Sequence, residues 1–106
     1  MSKTFKVLVT NSFLNEYKKL SFDEKRKIEK IIEQLKMNPF SGKPLGYKFF
    51  REKKIEGKRL YYLIFEDKIK ILILNYSGKK KQKTIINEVK NTLKSYRNNL
   101  DVHSEW

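Results

Sequence analysis

Apolar residues recur along this chain with two different periods, and the changes of period mark out its elements. "FKVLV" at residues 5–9 is a short run of β-branched character that predicts a strand, and "TNS" after it offers side-chain oxygens to cap a helix. Phe13, Leu14, Tyr17 and Leu20 then fall at helical spacing. "SFDE" at residues 21–24 is a capping box, in which the Ser21 hydroxyl caps the helix start while Glu24 reaches back to the Ser21 N–H. In the helix it opens, Ile28, Ile31, Ile32 and Leu35 make one apolar stripe, and Lys25, Arg26, Lys27 and Lys30 lie largely off it. Pro39 in "NPF" ends that helix, since it lacks the N–H and its ring clashes with the preceding turn. The two helices read as an αα-hairpin.

"SGKPLG" reads as a loop, after which the period changes. Residues 47–76 divide into three strands separated by "EGK" and "EDK", polar turns of hairpin length, which predicts an antiparallel meander. The middle strand, "LYYLIF", shows no polar alternation and is expected to be covered on both faces, in the centre of the sheet. Beyond "SGKKKQK" the helical period returns with Ile85, Ile86, Val89, Leu93 and Tyr96, and "NNLDVHSEW" reads as a polar end. Tyr61, Tyr62, Phe49 and Phe50 are expected in the core rather than as a base-stacking platform, which leaves Tyr47 or Tyr76 as the aromatic side chains able to meet a base.

A length of 106 residues sets the expectation of one domain, residues 1–106, with one modest core. Charge changes the picture more. The net charge of +13, from 25 basic and 12 acidic residues, exceeds what solubility requires and points to a polyanionic partner. Residues 47–83 alone hold 12 basic and 4 acidic groups. Without Cys there is no disulfide framework, thiolate metal site or cysteine nucleophile, and one His argues against zinc chemistry. A cytoplasmic location is expected, with no signal-peptide pattern and no apolar run near the roughly 18 residues of a membrane span.

Two basic clusters carry the candidate chemistry. In "GKKKQK", four lysines at a helix start face the positive end of the helix dipole, where stability favours acidic residues, so either solvation or phosphate binding explains them. In "REKKIEGKRLYYLIFED", the turn at residues 56–58 brings Lys54 close to Arg59 on the next strand. Like charges held together repel unless an anion binds between them, or unless Glu52 and Glu56 neutralise them as surface pairs.

In order and spacing, "NPFSGKPL", "REKKIEGKRLYYLIFED" and "ILILNYSGKKKQKTI" resemble the RelE/ParE superfamily of bacterial and archaeal type II toxins, over about residues 3–96. The resemblance implies an α+β fold: an N-terminal strand, an αα-hairpin packed on a twisted antiparallel sheet of the meander plus that strand, and a C-terminal helix. RelE-like members cleave messenger RNA in the ribosomal A site without metal or other cofactor, by in-line attack of the ribose 2′-OH on the phosphate. On this resemblance Arg59 is the phosphate-contacting arginine, Lys54 the lysine that activates the attacking oxygen, and Lys80 stands where an arginine often follows the Gly.

Two departures concern proton transfer. Glu52 replaces a second lysine and Ile86 replaces a tyrosine of the ribosome-dependent members. Glu52 is then either a general base or the partner of Lys54 or Arg59, and His103 is a further proton-transfer candidate or a surface residue. Arg51, Lys53, Lys58, Lys79, Lys81 and Lys83, with Lys25 and Arg26 on the helical hairpin, are candidate RNA contacts. The implied partners are a cognate antitoxin protein, messenger RNA and the ribosome, with no membrane. The alternatives are a ParE-like inhibitor of DNA gyrase and a non-enzymatic RNA-binding module of the same fold.

Overall fold

The computed structural model describes residues 4–106. Strand β1 (Lys6–Val9) leads through Thr10 into helix α1 (Asn11–Lys18), and the Thr10 hydroxyl accepts the Phe13 N–H at 3.1 Å. Ser21 caps α2 (Phe22–Met37) by accepting the Glu24 N–H at 3.2 Å. The other half of the predicted capping box does not form. The Glu24 carboxylate turns instead to the sheet, where it accepts from the Tyr76 hydroxyl at 2.9 Å and from Lys58 at 3.4 Å.

The predicted meander is present as β3 (Phe50–Ile55), β4 (Lys58–Phe65) and β5 (Lys70–Gly78), and one further strand joins it. A short helical turn at Pro39–Ser41 leads into the segment read as a loop, residues 41–46, most of which is an edge strand, β2 (Lys43–Tyr47), paired antiparallel to β3. Pro44 is tolerated there because an edge strand leaves one side of its backbone unpaired. Helix α3 (Gln82–Asn98) follows, and a two-residue strand, β6 (Ser104–Glu105), closes the chain onto β1.

The sheet order is β2-β3-β4-β5-β1-β6. Every pairing is antiparallel except β1 with β5, which is parallel, so the predicted all-antiparallel sheet is mixed at that one pair. Parallel partners need a long connection, and the helical hairpin together with β2, β3 and β4 supplies it.

Alternation of side chains divides the interior into two apolar layers, where length alone suggested one core. Val7, Val9, Leu60, Tyr62, Ile64, Ile71 and Ile73 face Phe13, Ile28, Ile32 and Leu35 of the helical hairpin. On the opposite face Leu8, Phe50, Tyr61, Leu63, Leu72 and Leu74 meet Ile85 and Val89 of α3. Strand β4 is buried on both sides, as its unbroken apolar run predicts.

A shift in register between Tyr61 and Tyr62 places one extra residue on β5 and reverses its alternation. Ile71 and Ile73 therefore share the helical-hairpin face with Tyr76. The segment read as a polar end also has a packed role. The Trp106 N–H donates to the Val7 carbonyl at 2.9 Å, and its ring meets those of Phe13 and Tyr17 edge-on at 5.9 and 5.1 Å.

Candidate functional site

The hairpin register sets Lys54 opposite Arg59 and Glu52 opposite Tyr61, and Arg59 also stands opposite Ser77 of β5. Since paired residues share a face, these side chains all project toward the α3 side of the sheet, beyond the end of the apolar layer. They border a cleft of ≈ 550 Å³. Its buried part is Glu52 and Arg59, and its outer part is Lys43, Lys53, Lys54 and Lys79. Ser41 and Gly42 form one wall and Gln82, at the start of α3, another.

Glu52 and Arg59 form an ion pair with Nε and Oε2 3.3 Å apart, and their side chains are 6 % and 10 % exposed. Gln82 Nε2 donates to the same Oε2 at 2.9 Å. The pair is buried, which makes it costly in desolvation and sensitive to the loss of either partner. Arg59 Nε, Tyr61 Oη and Ser77 Oγ are buried without a well-formed hydrogen bond. Burial, and then the nearby Glu52 charge, push the Tyr61 hydroxyl pKa up, against a smaller lowering by Arg59.

The Ser41–Gly42 wall is pinned from beneath. The Tyr62 hydroxyl donates to the Pro39 carbonyl at 2.7 Å and accepts the Gly42 N–H at 3.1 Å. Burial pushes that hydroxyl up to about 12, although the Gly42 donor lowers it. Arg51 Nη1 donates to the carbonyls of Phe40 and Gly42 at 2.9 and 2.7 Å, and its Nε donates to that of Lys48 at 2.9 Å. Only glycine fits at position 42, because a Cβ there would lie 2.4 Å from Tyr62 Oη and 2.6 Å from the Glu52 carbonyl oxygen.

Of the cations singled out from sequence, the structure brings Lys53, Lys54, Arg59 and Lys79 to the cleft. Lys80, Lys81 and Lys83 are exposed around the start of α3 and do not border it; Lys79 takes the place expected of Lys80. Arg51 is occupied with loop carbonyls, and Lys58 lies on the opposite face against Glu24 and over the Tyr76 ring. Lys25 and Arg26 sit on the helical hairpin, over the rings of Tyr17 and Phe22.

Glu56 pairs with Lys27 at the surface, whereas Glu52 has the buried pairing role with Arg59. Ile86 packs half-buried against the α3 layer. His103 borders a separate small cavity with Ser12, Asn75 and Tyr96, and burial lowers its pKa. Phe50, Tyr61, Tyr62 and Tyr76 are core, and Tyr47 packs edge-on against Phe49 at 4.9 Å. Gln82, Ser77 and Lys43 are the site residues that sequence reasoning missed.

Comparison with solved structures decides the fold. A double arginine-to-alanine variant of the Escherichia coli toxin RelE in the free state matches with a TM-score of 0.70 and 16 % identity, over 83 % of this chain and 97 % of that one. This is the RelE fold. The RelBE2 toxin–antitoxin complex of Mycobacterium tuberculosis matches with a TM-score of 0.63 and 20 % identity, over 74 % of this chain and 95 % of that one. The RelB–RelE complex of Methanococcus jannaschii gives 0.57 and 17 %, over 74 % and 96 %. Comparison with protein-family models returns no match, and neither does comparison with curated proteins. On this RelE-type scaffold the α3 face of the hairpin carries the Arg59 guanidinium and the ammonium groups of Lys43, Lys54 and Lys79 around one concavity, with Lys53 at its rim pointing to the helical-hairpin side, an arrangement that suits a phosphate and the charge that develops on it.

Proposed function

We propose that this chain is the toxin of a toxin–antitoxin pair and acts as a metal-independent endoribonuclease on messenger RNA at the ribosome. The observation that carries the reading is the juxtaposition of Lys54 and Arg59 across one hairpin of a RelE-type fold, with Lys53 and Lys79 on the same cleft. In cleavage the ribose 2′-hydroxyl gives up its proton as its oxygen attacks the adjacent phosphorus, the bond from phosphorus to the 5′-oxygen of the next nucleotide breaks, that oxygen takes up a proton, and a 2′,3′-cyclic phosphate remains. Lys54 and Lys79 are exposed and free to follow the phosphoryl oxygens, while Arg59 is held by the sheet. Cations gathered in this way favour the more highly charged transition state over the bound substrate.

A basic face of this size suits an acidic antitoxin segment as its keeper, and the neighbouring RelB–RelE complexes support such a partner. The test is the mapping of messenger RNA 5′ ends after brief induction, comparing the wild type with a Lys54→Ala/Lys79→Ala variant. New cuts within translated regions, lost in the variant, are expected. Intact messages with arrested growth would turn the reading toward gyrase. A non-enzymatic RNA-binding role is the second reading, favoured by Glu52 neutralising Arg59 and by Ile86 in place of a proton-transfer group; it requires RNA binding with neither cleavage nor arrest.

A further inference from the structure

The cleft contains a group that opposes anion binding. Glu52 Oε2 lies 3.3 Å from Arg59 Nε in a pair almost closed to solvent, and Gln82 holds that same oxygen at 2.9 Å. A carboxylate fixed against a guanidinium in a dry setting cancels much of the field the cation would offer to an arriving anion. It is also present at an effective concentration that no free small anion matches. The lysines outside this pair, Lys43, Lys53, Lys54 and Lys79, border the same cleft and keep their charge available. A lone phosphate meets an arginine that is already neutralised, whereas a strand engages several lysines at once through its neighbouring phosphates.

We propose that Glu52 is a specificity residue: a built-in counter-ion that excludes isolated phosphate groups from Arg59 and reserves the cleft for a polyanionic strand. This rests on reading the cleft as a phosphate site. Gln82 acts as a positioning residue, since it fixes the carboxylate oxygen that Arg59 faces. On this view an acidic residue at the position improves discrimination at the expense of affinity.

The experiment is calorimetric titration, at low salt, with inorganic phosphate and with a 2′-O-methylated single-stranded RNA about a dozen nucleotides long. It compares the wild type with Glu52→Gln, Glu56→Gln, Gln82→Glu and Lys54→Ala/Lys79→Ala, each shown by circular dichroism to be folded. The wild type binds the RNA without saturable binding of phosphate. Glu52→Gln, which keeps the side-chain shape, gains roughly tenfold in phosphate affinity as one like charge leaves the site. Glu56→Gln removes the same charge from the hairpin turn and leaves phosphate binding as in the wild type.

Gln82→Glu adds a carboxylate to the cleft and weakens RNA binding, and it carries the test if Glu52→Gln does not fold. Phosphate binding by Glu52→Gln that equals the wild type, or is matched by Glu56→Gln, overturns the specificity role. The phosphate site still stands in that case if Lys54→Ala/Lys79→Ala weakens RNA binding. RNA affinity unchanged in the lysine variant overturns the site itself.

Discussion

Replacing Arg59 by alanine leaves the Glu52 carboxylate buried without a counter-ion, and breaking a buried pair from one side costs about 3–5 kcal/mol. Arg59 stands near the start of β4, where an exposed arginine would tolerate alanine; its burial removes that tolerance. Urea denaturation should show Arg59→Ala strongly destabilised and a Glu52→Leu/Arg59→Met double variant much less so. At Gly42 the obstacle is steric. Gly42→Ala drives a methyl into Tyr62 Oη and the Glu52 backbone, and a loss of about 1–3 kcal/mol is expected in the same assay. The approach of Lys54 to Arg59 was legible because a short hairpin turn fixes register. Ser77 and Gln82 were not, since their places depend on a bulge in β5 and on the docking of α3, neither of which leaves a local mark in the residues.

Between elements, the helical hairpin is tied to the sheet by Glu24, which accepts from Tyr76 and Lys58. The Tyr76 hydroxyl bond, more than Lys58, holds the Glu24 carboxyl below its ordinary 4.5, against a smaller opposing effect of burial. A carboxyl depressed in the folded state adds stability that is complete above its unfolded value and is lost as pH falls through the folded one. The stability gap between the wild type and Tyr76→Phe should therefore be full at neutral pH and narrow below pH 4.5, as measured by thermal melts across that range. Helices α1, α2 and α3 were legible because each carries an apolar stripe at helical spacing, and β4 because its apolar run has no gaps. Strand β2 was hidden because Pro44 and Gly46 are loop residues in isolation, acceptable here only at a sheet edge. Strand β6 is two residues long, too short for any period.

For the molecule as a whole, the lysines bordering the cleft, Lys43, Lys53, Lys54 and Lys79, set the salt dependence. If each neutralises one phosphate of a single strand, RNA affinity should fall about fiftyfold between 50 and 200 mM salt, a slope that Lys54→Ala/Lys79→Ala should roughly halve. The overall charge of +13 would suggest a steeper fall, but Arg51, Lys58 and Arg59 are engaged with the protein's own oxygens. Trp106 reports on the opposite edge of the sheet. Trp106→Ala removes its contacts with Phe13 and Tyr17 and should cost about 2 kcal/mol by urea denaturation. Strand β1 pairs with residues 70–73 on one side and 104–105 on the other. Closing such long loops is entropically costly and comes late in folding. Strand β1 thus depends wholly on residues far along the chain for its pairing, so in refolding its amides should become protected from hydrogen exchange later than those of the β3–β4 hairpin, whose partners are neighbours in sequence.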